Sequence, residues 1–321
     1  MNATRPTCRD IEADLVALAS GEAAPPAAQV VERHIARCGP CRDELQRYRR
    51  VEGLVSELRQ AAIPGMDPTL ARAELESRLA DLKSRLVAFG DFASPLGPIL
   101  IARSELGVSM VEYLPSAAAA ASRLARLAGA DAVEDEARTG ALYRDLLDYL
   151  QGRRTELDWP LDLRWARSDF QRRVLEATAA LPYGAVASYA GIAARIGAPS
   201  AVRPVAQALR WNPLPIVIPC HRVIGSSGAL TGYAGRHVGL KQRLLAVEGV
   251  KTVAVRDDFK VNREAMYTMV TGDQEYCVPT CGSLLSRSLS TLTLFAARER
   301  AEAAGFSPCG SCRPDLHPLP A

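Results

Sequence analysis

The apolar positions of this chain change period several times, and each change marks a new kind of element. Residues 7 to 20 place Ile11, Leu15 and Leu18 on one helical face, with Thr7 as a candidate cap and Gly21 and Pro25-Pro26 as the stop. A second helix carries Val30, Val31, His34, Ile35 and Cys38 and breaks at Gly39-Pro40, and a third runs from Cys41 through Leu45, Tyr48, Leu54 and Leu58. Residues 59 to 86 are rich in Ala, Arg, Glu and Leu. Asp67-Pro68 opens a helix there, and Leu75, Leu79, Leu82 and Leu86 keep one apolar face. That helix is a connection or a partner-binding surface; its pattern fits both.

From residue 87 the period shortens. Val-Ala-Phe, Pro-Leu-Gly-Pro-Ile-Leu-Ile-Ala and Gly-Val-Ser-Met-Val-Glu-Tyr predict short strands broken by Gly and Pro. Helical stretches follow near 116 to 129 and 140 to 151, the alanine run 117 to 121 being helix or linker. A helix then starts at Asp169-Phe170-Gln171 and ends at Ala180. Ser188 caps another that contains Tyr189, Ile192 and Ile196. After a turn at Gly197-Ala-Pro, Ser200 begins a helix with Val202, Arg203, Val205, Ala206, Leu209 and Arg210. Two short helices joined in this way form a helix-turn-helix, a unit that serves simple packing as often as DNA binding. Ile216, Val217 and Ile218 are β-branched and predict a buried strand, and Pro219 keeps Ile218 out of the helical region, so that strand ends at Cys220. Residues 251 to 263 have mixed charge and little apolar pattern and read as a linker.

Composition adds three constraints. The chain of 321 residues is long enough for two or three domains. Lys+Arg number 39 against 36 Asp+Glu, so the net charge is only +3, and any nucleic-acid contact must come from a local basic patch. No signal core opens the chain and no run of about 18 apolar residues occurs, which predicts a cytoplasmic protein without membrane contact. In that setting the eight cysteines are thiols or metal ligands rather than disulfides.

The cysteines fall into three groups. Cys8, His34, Cys38 and Cys41 form Cys-x25-His-x3-Cys-x2-Cys, a complete tetrahedral set for structural zinc, although a helical hairpin with buried thiols would use the same residues. Cys277-x3-Cys281 and Cys309-x2-Cys312, separated by 27 residues, form a second zinc signature. Cys220 stands alone, followed by His221. Only a thiolate is nucleophilic, so a reacting cysteine needs a base nearby, and on an extended chain consecutive side chains point apart; a water bridging Cys220 and His221 suits the pair better than direct contact. By itself a Cys-His pair carries little weight, because free cysteine is usually a small buried apolar residue.

The neighbours of that pair say more. Pro-Cys-His-Arg-Val, preceded by Trp-Asn-Pro (211 to 213) and followed by Gly-Ala-Leu-Thr-Gly-Tyr-Ala-Gly (228 to 235) and Leu-Leu-Ala-Val-Glu-Gly (244 to 249), resembles the O6-alkylguanine-DNA alkyltransferases. The likeness runs from Asp169 to Val250. It implies irreversible transfer of a methyl or other alkyl group from O6-alkylguanine (with O4-alkylthymine as an alternative substrate) in double-stranded DNA to Cys220. The nucleotide must first be flipped out, because a stacked base cannot present its O6 substituent to a side chain. The resemblance assigns Glu248 and His221 to a glutamate–histidine–water–cysteine relay, Asn212 to bracing the turn behind the cysteine, and Tyr189 to protonating the departing guanine. Arg203 falls on the arginine that fills the vacated stack, Tyr233 on the residue that walls the pocket, and Lys241 on a lysine at the pocket rim. Ser188 and Arg210 fall on the DNA-facing side of the helix pair. Pro204 departs from the family's usual alanine but lies in a first helical turn, where proline is tolerated.

The flanks carry their own resemblances. Residues 1–60 are similar to the zinc-binding anti-sigma module, which implies a protein partner, a sigma factor or another protein. Ala-Ala-Gly-Phe-Ser-Pro-Cys-Gly-Ser-Cys-Arg-Pro-Asp, near the end, resembles the Ada-type zinc domain, in which a zinc-bound thiolate accepts a methyl from a DNA phosphotriester. Where that family places arginines around its first cysteine pair, this chain reads Val-Pro-Thr and Gly-Ser-Leu-Leu-Ser. The expectation is a multidomain α+β chain with two structural zinc ions and no organic cofactor. Its parts are a helical zinc module (1–60), a linker helix (61–86), a small ribonuclease-like α/β domain in a supporting role (87–165), a mainly helical catalytic domain with a helix-turn-helix (166–250), a linker (251–263) and a small α/β zinc domain (264–321). The alternative is an alkylation-responsive transcriptional regulator that acts through the zinc modules.

Overall fold

The computed structural model describes residues 6–60, 68–115, 119–233, 235, 237–256 and 258–320. The chain divides into two compact units, Met1–Ser77 and Arg78–Ala321.

The first unit is helical. Gly21, at φ 78, closes α1 (Glu12–Ser20), its N–H reaching Ala17 O. Pro25 opens α2 (Pro25–Ile35) in the first turn, where its missing N–H costs nothing. α3 spans Gly39–Gln60. Ile11, Leu15, Val31, Cys41 and Leu45 form a small core. The sequence placed Cys38 within the second helix and a break at Gly39-Pro40. Instead α2 stops at Ile35, Cys38 lies in the turn with its N–H on His34 O, and Gly39-Pro40 begin α3. Proline restricts the residue before it but fits a helix start, so the break falls ahead of the Gly-Pro pair.

α4 (Pro68–Arg85) crosses the division between the units. The expected start at Asp67 lies outside the described residues, as do 116–118 of the alanine stretch. Leu75, Leu79 and Leu82 are exposed, and Leu86 starts a strand instead of extending the helical face.

The second unit begins with β1 (Leu86–Phe92), β2 (Ile99–Arg103), β3 (Val108–Tyr113), the short α5 (Ala120–Leu124), β4 (Asp131–Glu134) and α6 (Glu136–Leu150). The sheet order is β3-β2-β1-β4, antiparallel except for β4 beside β1. β4 has four exposed side chains, which explains why no apolar alternation announced it. Asp135 caps α6 by accepting Arg138 N–H. Gly107 is forced by a close approach: at φ 151, a Cβ there would lie 2.2 Å from Pro160 O.

Next come α7 (Asp169–Ala179), β5 (Ala185–Ser188), α8 (Tyr189–Arg195), α9 (Val202–Arg210), β6 (Val223–Ile224) and α10 (Val238–Val247). Ser188 caps α8 as expected, through Gly191 N–H. Pro204 sits in the first turn of α9.

The predicted strand before the cysteine does not form. Ile216 takes a left-handed φ of 77, and Ile218 N–H closes a turn onto Leu214 O. The Asn212 amide overrides the β-branched preference: Oδ1 accepts Leu214 N–H and Nδ2 donates to Ile218 O. A β-branched residue at positive φ is strained, and it is buried at the turn that presents the thiol.

Beyond α10 the stretch expected as irregular linker carries a hairpin, β7 (Thr252–Val255) with β8 (Asp258–Val261). Val253 and Val255 are exposed on it, so its apolar pattern marks no core. β9 (Tyr267–Val270), β10 (Glu275–Cys277), β11 (Leu292–Phe295), α11 (Arg298–Ala303) and β12 (Ser307–Pro308) complete the chain. Their strands join those of the preceding segment in one sheet of order β12-β10-β9-β11-β5-β6.

Candidate functional site

Cys220 begins a one-turn helix, Cys220–Arg222, immediately after the Asn212-clamped turn. Asn212 Nδ2, already on Ile218 O, also donates to Cys220 Sγ at 3.2 Å. Burial pushes the thiol above its ordinary pKa, against the opposing pull of the Asn212 hydrogen bond and the Lys241 charge. The resting sulfur is therefore a protonated thiol that needs a base.

His221 is fully buried, with Nε2 2.5 Å from Glu248 Oε1. Its Nδ1 is buried and has no hydrogen-bond partner among the described residues, so no hydrogen bond joins it to Cys220. Burial holds the imidazole pKa below its ordinary value despite the attraction of Glu248, so the ring is a neutral base. For Glu248 burial acts to raise the carboxyl, but His221 and Arg222 outweigh it and hold it at about 2. The carboxylate also accepts the Arg222 guanidinium on both oxygens, Tyr149 Oη–H on Oε1 and Gly184 N–H on Oε2. Arg222 donates further to Leu181 O and Tyr149 Oη.

Sequence reasoning did not single out Arg222, Tyr149 or Tyr113. Arg222 stands inside Pro-Cys-His-Arg-Val, where a buried arginine beside a buried acid could have been sought. The two tyrosines come from α6 and β3 and carry no local signal. Tyr113 Oη pairs with Tyr233 Oη at 2.9 Å, and Tyr233 packs edge-on to His221. The α/β segment expected only as support thus contributes two side chains to the cysteine's surroundings.

Lys241, expected at a pocket rim, is instead buried. Its Nζ donates to Val223 O and Thr231 O, lies 5.8 Å from the Tyr189 ring centroid, and has its pKa lowered by burial to about 8. An ammonium can take this position because two carbonyls replace its water. Tyr189 Oη donates to the same Thr231 O. Arg203 and Arg210 are exposed on α9, in its first and last turns. Ser188 is fully buried: its hydroxyl caps α8 and donates to Leu289 O, which leaves no surface for the expected DNA contact.

These segments match family models in chain order. Residues 87–163 match the ribonuclease-like domain of 6-O-methylguanine DNA methyltransferase and 169–250 its DNA-binding domain. Residues 250–315 match the metal-binding domain of Ada, and 8–42 match a zinc-finger family. The methylated-DNA–protein-cysteine methyltransferase of Methanosarcina barkeri is 39% identical over 155 residues, 48% of this chain and 92% of that protein. This chain belongs to the methylated-DNA–protein-cysteine methyltransferase family. The Mycolicibacterium paratuberculosis methyltransferase of the same name is 55% identical over 100 residues, 31% of this chain; the match spans 59% of that relative's length. The crystal structure of Mycobacterium tuberculosis OGT in complex with DNA aligns at 40% identity with a TM-score of 0.43, covering 50% of this chain and 92% of that one.

This family member also has two metal centres. In each of the sets Cys8, His34, Cys38, Cys41 and Cys277, Cys281, Cys309, Cys312, the donor atoms lie within 4.8 Å of one another. Cys8 Sγ is 3.6 Å from His34 Nε2 and 3.8 Å from Cys38 Sγ. Three thiolates with an imidazole, and four thiolates, converging in this way suit zinc, and the zinc-binding family matches agree. A four-ligand zinc cross-links the chain and contributes folding free energy. Among the described residues no helix is long and apolar enough to cross a membrane.

Proposed function

We propose that this chain repairs DNA by moving an alkyl group from O6 of guanine to Cys220, irreversibly. The observation that carries the reading is a buried neutral His221, held by a Glu248 carboxylate, beside a thiol presented on an Asn212-clamped turn. A water between His221 Nδ1 and Cys220 Sγ passes the thiol proton to the imidazole. The thiolate attacks the alkyl carbon, an S–C bond forms as the C–O6 bond breaks, and guanine leaves with a proton supplied through Tyr189. A thioether is a poor leaving group, so each protein acts once.

Duplex DNA is the partner. Arg203, exposed near the start of α9, fills the gap left by a flipped nucleotide in this reading, since a flat cation stacks and hydrogen-bonds at once. Arg210 adds phosphate contact, and Tyr233 walls the lesion pocket. For residues 1–60 the closed four-ligand set leaves no coordination position for chemistry, which favours a protein-binding role.

The test is a duplex carrying one radiolabelled O6-methylguanine. One label per protein, mapped to the peptide containing Cys220, is the expected result. Label elsewhere, or repeated turnover, overturns the proposal.

A further inference from the structure

The carboxy-terminal metal centre is built into the same core as the segment that carries the helix-turn-helix. Cys277, Cys281 and Cys309 are buried in one hydrophobic cluster with Val186 of β5, Ile224 of β6 and Leu245 of α10. β11 pairs with β5 along its length, Thr293 opposite Ala187 and Phe295 opposite Ala185, and Ala296 N–H donates to Gly184 O.

β5 runs straight into α8, and the tail grips that helix at both ends. At its start, the Ser188 hydroxyl accepts Gly191 N–H and donates to Leu289 O. At its last residue, Arg195 Nη2 donates to Thr293 Oγ1 at 2.7 Å. Between them Gly191 lies against Ser290 O, where an added Cβ would stand in ordinary van der Waals contact at 3.4 Å. α8 has seven residues, too few to hold its own axis by backbone hydrogen bonds alone. α9, with Arg203, follows through a short turn and packs on α8.

We propose that the zinc-held tail is a brace for the helix-turn-helix. By fixing β11 and the segment Leu289–Thr291, the Cys277/Cys281/Cys309/Cys312 centre sets the direction of α8 and so the placement of Arg203. Thr293, Arg195 and Ser188 are positioning residues that act through α8. The duplex-specific part of this inference rests on the alkyl-transfer reading; the bracing itself does not.

The full-length protein tests it. Cys309→Ser should lose one zinc equivalent, and hydrogen–deuterium exchange should then speed up in β5, α8 and α9. If that variant loses its zinc yet exchanges like the parent in these elements, the proposal is overturned. Should Cys309→Ser fail to fold, Thr293→Val decides, because it keeps every metal ligand and removes only the acceptor for Arg195. Expected for Thr293→Val is about a tenfold slower single-turnover transfer from duplex DNA, with transfer from a free O6-alkylated guanine base nearly unchanged, and recovery in Thr293→Ser. Equal rates on both substrates in variant and parent overturn the positioning role. If the parent itself transfers nothing, the alkyl-transfer reading fails, and the exchange measurement still decides the brace.

Discussion

Tyr149, in the last turn of α6, donates its hydroxyl to Glu248, 99 residues further along the chain, at the oxygen that also meets His221 Nε2. A side chain from the α/β segment therefore helps hold the carboxylate that orients the imidazole. A hydrogen bond to a buried charged group contributes about 1.5–3 kcal/mol. Tyr149→Phe should lower the unfolding free energy by about that amount and slow transfer severalfold, as read by urea titration and single-turnover kinetics. Full stability in the variant would show that the bond contributes nothing.

The pH dependence follows from the same cluster. Buried His221 binds its proton less readily than the ordinary imidazole at 6.5, so the unfolded chain takes up that proton first as pH falls. Glu248, held at about 2 against an ordinary 4.5, adds stability that is complete above pH 4.5 and disappears as pH falls towards 2. Both contributions have one sign. Stability should decline from pH 6.5 downward, with a second loss below pH 4.5, while the transfer rate stays flat around neutrality and falls only on the acid side. A rate that rises steadily from pH 6 to 8 would show that the thiol titrates without the imidazole as base.

Arg203→Ala tests the flipping role. Exposed on α9 with no part in the buried core, it should fold as the parent does. Transfer from duplex DNA should slow by about tenfold or more while transfer from a free O6-alkylated guanine changes little. Parallel losses on both substrates would instead assign the residue to folding.

Metal analysis of the whole protein should find two zinc ions per chain. Cys38→Ser should remove one and Cys281→Ser the other, since each set supplies four donors. Residues 1–77 expressed alone should lose helicity with chelator, because so small a core depends on its metal. Unchanged circular dichroism without zinc would contradict this.

Cys277 should not accept a methyl from a DNA phosphotriester. It is buried, and the residues just before it include exposed Asp273 and Glu275, whose charge opposes an approaching phosphate. Val278-Pro279-Thr280 follows, and Arg287 is the first cation after the pair. Four thiolates on zinc carry a formal charge of about −2, which repels the phosphate backbone, and Arg313, the cation next to Cys312, is held by Asp315. Mass spectrometry after mixing with DNA that carries one methylphosphotriester should show Cys277 unmodified; stoichiometric methylation would refute this.

The sequence by itself determined the chemistry-bearing residues of this protein: the lone cysteine with His221 and a distant Glu248, and two sets of metal ligands. Residue type and spacing suffice for the metal sets, as they do for the Ser188 cap and the Gly21 stop, whereas Cys220, His221 and Glu248 are assigned through the family resemblance, and Pro25, expected to end the first helix, opens the second. Only the tertiary structure decided what those residues meet. The positive φ of Ile216 follows from the Asn212 clamp, not from the local β preference that predicted a strand. Lys241 is buried because Val223 O and Thr231 O converge on it, and Ser188 is buried because Leu289 reaches back across 101 residues. The joining of β11 to β5 is likewise a pairing between remote segments, each of which reads only as a short apolar run. Local pattern reports the preferences of neighbours in sequence, whereas these features are contacts between segments that only the folded chain brings together.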